Sequence, residues 1–77
     1  MDVWILQNLD TNSVLAFDAE HLAMHAAEKM VGNRAVSGDS NILLYGRGDG
    51  TTSVMIRKFP RKLAKQVFPD LMIPESV

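Results

Sequence analysis

Val14–Gly32, VLAFDAEHLAMHAAEKMVG, changes its hydrophobic period part-way along, and that change decides the fold class. Val14 to Phe17 reads as a short strand. Beyond Asp18 the apolar residues recur at helical spacing, with Leu22, Ala23, Ala26, Ala27 and Met30 on one stripe. Asp18 is placed as the N-cap, where a carboxylate can accept from an orphan amide of the first turn. Phe17 and Leu22 are spaced for a hydrophobic staple across that start. Gly32-Asn33 supplies the left-handed geometry that stops a helix. The spacing predicts a helix from Ala19 to about Val31, with three alanines that let it sit close to a sheet.

Upstream, Val3 to Leu9 alternates, with Val3, Ile5, Gln7 and Leu9 on one side and Trp4, Leu6 and Asn8 on the other. Asp10-Thr11-Asn12-Ser13 is turn chemistry, so this strand and Val14–Phe17 form a hairpin. Downstream, Arg34 to Ser40 reads as a connector or a weak edge strand, and Asn41 to Tyr45 as a third strand. Gly46-Arg47-Gly48-Asp49-Gly50 reads as a hairpin loop, and Thr51 to Phe59 is a β-branched fourth strand. Pro60 can open a short second helix bearing Leu63/Val67 and Ala64/Phe68 pairs, which Pro69 ends. The expected class is α+β in the order ββαββα. It comprises a small antiparallel sheet, one main helix packed on a face and a short C-terminal helix. Residues 1–69 are expected to form the single domain, and 70–77 a tail.

Composition narrows the function. Seventy-seven residues with 47% apolar content suit one packed domain near the lower size limit for unaided folding. The absence of cysteine excludes disulfides and thiolate metal sites, and favours a cytoplasmic setting. No targeting segment is expected, since Met1-Asp2-Val3 opens with an acid and Gln7-Asn8 breaks the apolar run that follows. No run approaches the length of a membrane span.

The candidate chemical groups each have a plainer reading. His21, His25 and Glu28 have metal-ligand spacing on a helix, yet lie off the apolar stripe and lack a fourth ligand, so surface histidines are expected and no metal or cofactor. The Gly46–Gly50 loop leads into a strand, so it offers no helix N-terminus to an anion, and Arg47-Gly48-Asp49 reads as turn chemistry. No serine sits in a nucleophile elbow and no carboxylate pair shares a face. The expectation is a protein that is not an enzyme.

What remains is binding. Arg57, Lys58, Arg61, Lys62 and Lys65 put five of the eight basic residues within nine positions, while seven of the nine acids precede Thr51. Such a run can meet phosphates or an acidic protein surface, although Arg57 and Lys58 must point to opposite faces of a strand. Trp4, the sole tryptophan, and the apolar Leu71-Met72-Ile73 suit protein contacts, unless the tail docks back on its own domain. A small sheet also leaves edge strands that can pair across a two-fold axis into a homodimer. The functional expectation is a non-enzymatic protein-binding module: a small regulator, inhibitor or assembly factor. The alternative is a nucleic-acid-binding regulator that uses segment 57–65. No membrane partner is expected.

Overall fold

The computed structural model describes residues 2–32, 36–38, 42–46 and 52–73. Its elements are β1 (Asp2–Asn8), β2 (Ser13–Phe17), α1 (Glu20–Val31), β3 (Val36–Gly38), β4 (Ile42–Gly46), β5 (Thr52–Pro60) and α2 (Arg61–Val67). The strands make one antiparallel sheet in the order β2-β1-β5-β4-β3. The ββαββα order therefore holds. Val36–Gly38, within the segment read as a connector or a weak edge strand, adds a three-residue strand at one edge.

The β1–β2 hairpin has a defined local cause. Asn8 Oδ1 accepts from the backbone amides of Asp10 (3.0 Å) and Thr11 (3.3 Å), and Asn12 takes φ 61°. These turn residues set the register in which Leu6 faces Leu15 and Trp4 faces Phe17.

Alternation along β1 then feeds two cores, one on each face of the sheet. Leu6, Tyr45, Val54 and Ile56 lie under Ala23 and Ala27 of α1. On the opposite face Val3 and Ile5 lie under Ala64 of α2, with Phe59, Phe68, Leu71 and Ile73 packed around them. The Phe59 and Phe68 rings meet edge to face, 6.0 Å between centroids. Leu71 and Ile73 thus dock on the domain.

Two details of α1 differ from the sequence expectation. The N-cap is Ala19, in extended geometry, with no side-chain cap hydrogen bond, so Asp18 does not cap it. The buried stripe centres on Ala23 and Ala27, which leaves Leu22 and Met30 exposed. The stop is as expected: Gly32 adopts φ 67° and its amide donates to Glu28 O at 2.8 Å. In β5 one extra residue, Ser53, falls between the pairs Tyr45–Val54 and Gly46–Thr52. This bulge accounts for the consecutive burial of Ser53 and Val54.

Tyr45 ties the α1-side core to pH. Its ring is fully buried, and its hydroxyl has no hydrogen-bond partner among the described residues. Burial raises the phenol above its ordinary value, and the charges of Glu28 and Glu20 push it further the same way. The folded state therefore holds this proton more tightly than the unfolded chain does. The resulting stability is fully present below the unfolded value of about 10 and is lost as pH rises toward the folded value. Thermal unfolding across that alkaline range should show a steeper loss for the wild type than for Tyr45→Phe. At neutral pH the variant should be equally stable or slightly more so, because it removes an unpaired hydroxyl. Parallel pH profiles for the two proteins would show that the phenol keeps an unshifted proton.

Candidate interaction surface

Among the described residues strand β2 is an edge strand whose only ladder is with β1. One row of its backbone amides and carbonyls therefore points away from the sheet. At five residues it outruns the opposite edge, β3, which has three. Edge strands are commonly blunted by charge, proline or a bulge. SVLAF contains no charged residue and no proline, and its pairing with β1 runs unbroken.

The apolar surroundings of this edge come from both faces. Cross-strand partners share a face, so Leu15 lies on the α1 side with Leu6, while Val14 and Ala16 pack into the α2-side core. Leu15 remains 41% exposed. The α1 flank bearing Glu20 and Glu28 acts on the Tyr45 hydroxyl and so lies toward β4. Helical spacing turns Leu22, Ala26 and Met30 the other way, toward β2. Asn8 Nδ2 donating to Met30 Sδ at 3.7 Å agrees with this placement. On the α2 side Val14, Val67, Phe68, Pro69, Asp70 and Leu71 line an open hollow of about 380 Å³. Val67, at 48% exposure, stands on its rim, one helical turn beyond the exposed Leu63. No protein-family model, curated protein or solved structure matches this chain.

The residues singled out from sequence fall in several places. Trp4 is half-buried against the α1-side core, and its indole N–H is enclosed without a hydrogen-bond partner among the described residues. Arg57 and Lys58 point to opposite faces. Arg57 Nη2 donates to Gln7 Oε1 at 3.1 Å, and its guanidinium lies 5.0 Å over the Phe59 ring. Lys58 Nζ is 3.5 Å from Asp2 Oδ2. Lys62 and Lys65 are exposed on α2, whereas Arg61 is half-buried. Met72 stands out at 90% exposure between the docked Leu71 and Ile73. The structure thus divides the basic segment into two partnered side chains on β5 and an exposed lysine pair on α2.

The remaining candidates are quickly placed. His21 and His25 are exposed, and no group of three His, Cys, Asp or Glu among the described residues is placed to hold a metal ion. The Arg47-Gly48-Asp49 motif lies outside the described residues. No helix among the described residues is long and apolar enough to cross a membrane. Ser53 is 4% exposed, and its Oγ has no partner among the described residues. It lines a smaller hollow of about 210 Å³ with Asn8, Asp10, Met30, Val31 and Val54.

Sequence reasoning passed over Val14, Leu15, Leu22, Leu63 and Val67 as surface residues. Leu22 belongs to the apolar stripe of α1 in the sequence, and Leu63/Val67 is one of the two apolar pairs of α2. The available signal was the length and charge-free composition of β2.

Proposed function

We propose that this chain is a non-enzymatic protein-binding module, a small regulator, inhibitor or assembly factor, which takes an extended strand of its partner along β2. The observation that supports this reading is the uncharged, unblunted β2 edge with exposed apolar side chains on both flanks. Main-chain hydrogen bonds along such an edge supply affinity, and alternate side chains of the added strand reach pockets on the two faces. Here Leu15 and Leu22 meet one face of the incoming strand, and the hollow beside Val67 meets the other. The cysteine-free composition supports a cytoplasmic setting for this activity.

The nucleic-acid alternative rests on Lys62 and Lys65, exposed on α2 beside Arg61. With Arg57 and Lys58 on opposite faces and already partnered, the continuous five-charge footprint of the sequence is broken up. Fewer phosphate contacts mean a shallower dependence of affinity on salt.

The test is capture from lysate on immobilised wild type, Leu15→Lys and Lys62→Glu/Lys65→Glu, each with and without nuclease. On this reading a stoichiometric protein survives nuclease and the double charge reversal, and is lost with Leu15→Lys. If the recovered material is nucleic acid whose retention falls steeply with salt and vanishes with the lysine reversals, the alternative holds instead.

A further inference from the structure

Resting on that reading of the β2 edge, we propose that the strand it takes is β2 of a second copy of this chain, in an antiparallel two-fold dimer centred on Leu15.

The register follows from geometry. A two-fold axis perpendicular to a sheet keeps each face continuous, so directly opposed residues must belong to the same face. For β2, Ser13, Leu15 and Phe17 then oppose only one another, and Val14 and Ala16 do likewise. A single axis position uses all five residues. It sets Leu15 against Leu15, Val14 against Ala16 and Ser13 against Phe17. No charge meets a like charge anywhere along the seam. On one face the exposed Leu15 side chains cover each other between the Leu22 flanks of the two α1 helices. On the other, each copy brings the hollow lined by Val14 and Val67.

Charge complementarity singles out a second copy as the occupant. Helix α1 begins just after the end of β2 and finishes beside Asn8, level with the start of β2, so it runs antiparallel to that strand. The two-fold therefore brings the last turn of each α1 level with the far end of the other copy's β2. Lys29, exposed in that last turn, lies on the flank facing the edge. Asp18, also exposed, immediately follows β2. Each copy thus presents Lys29 to Asp18 of the other, and the symmetry makes the pair twice. An unrelated strand would meet the same edge without this reciprocal match.

The chain has no cysteine, so a single introduced thiol reports the register directly. Opposed residues across an antiparallel pair have Cα atoms about 4.5–5.5 Å apart, within disulfide range. Leu15→Cys should oxidise to a covalent dimer in high yield. Ser13→Cys, four positions out of register with itself, should not. Sedimentation equilibrium from micromolar to millimolar chain should show the wild type dimerising. Leu15→Lys should weaken the dimer by at least about tenfold, because two like charges then sit face to face. Circular dichroism and thermal melts check that the variants stay folded, which the exposure of Leu15 favours. A wild type that stays monomeric throughout overturns the second copy as occupant. Loss of the captured protein with Leu15→Lys would then still uphold the edge as a docking site. A dimer that is insensitive to Leu15→Lys, or that cross-links through Ser13→Cys instead, also overturns the proposal.

Discussion

Leu6→Ala should cost about 3 kcal/mol of folding stability and lower Tm by about 10–20 °C. Leu6 is fully buried in β1, with Leu15 and Ile56 directly opposite it on the two neighbouring strands. Above it sit Ala23 and Ala27, each without exposure. Short side chains cannot lean into a void, so a truncated Leu6 leaves a cavity that the helix side does not refill. A chain of this length has roughly 4–12 kcal/mol of stability in total, so the loss is a large part of the whole. Denaturant titration should show a lower midpoint at unchanged slope, the signature of lost stability without lost compactness. Leu22→Ala removes the same atoms from a residue 44% exposed on α1 and should stay within about 0.5 kcal/mol of wild type. If the two truncations cost the same, Leu22 belongs to the buried stripe after all, and the orientation of α1 described above is wrong.

That pair of variants marks where the fold was legible in the sequence and where it was not. Period-two alternation located β1, turn chemistry its hairpin partner β2, β-branched content β5, and the change of period at Asp18 located α1. Glycine placed the end of α1, because its backbone takes φ 67° without strain. Leu22 and Met30, read on one stripe with Ala23, Ala26 and Ala27, lie at its exposed margin. The spacing of α2 offers two apolar pairs, Leu63/Val67 and Ala64/Phe68, and the sheet takes the second. In the fold the sheet supplies the bulk, through Leu6, Tyr45, Ile56, Val3 and Ile5, and each helix supplies the space with alanines. Which partner brings the volume depends on both surfaces, and a single segment shows only one of them. The Asp18 cap failed for a local reason, since the helix starts one residue later, at Glu20, with Ala19 as its N-cap. The bulge at Ser53 left no mark, being a mismatch between two strands rather than a property of either. The β2 edge could be read only in part. Its freedom from charge is visible in the sequence, but its edge position depends on β1 pairing with β5 on its other side.

Ala64→Asp should release α2 from the sheet. Helix α2 has seven residues, no side-chain N-cap bond and no acid in its first turn, and it is too short to persist alone in water. It holds its place because Ala64 sits without exposure on Val3 and Ile5, flanked by Phe68 and followed by Leu71 and Ile73. A carboxylate at that position faces the apolar side chains of Val3, Ile5, Phe59, Phe68, Leu71 and Ile73. Left in place it would cost several kcal/mol, so the cheaper course is for α2 and residues 68–73 to lift away and expose Val3, Ile5 and Phe59. Undocking caps the measured loss below the full cost of a buried charge, and Tm should fall by roughly 10 °C. Arg61, Lys62 and Lys65 then become accessible trypsin sites, and cleavage there should accelerate by at least about tenfold while amides of β1 and β5 stay protected from exchange. Ala64→Ser, which adds one hydroxyl rather than a charge, should leave cleavage near the wild-type rate. Should Ala64→Asp expose the trypsin sites and the β1 amides together, the two faces form one cooperative unit and α2 is integral to it. Should it change neither, Ala64 is not the residue that anchors α2, and the second core must be carried by Phe68 and Leu71 alone.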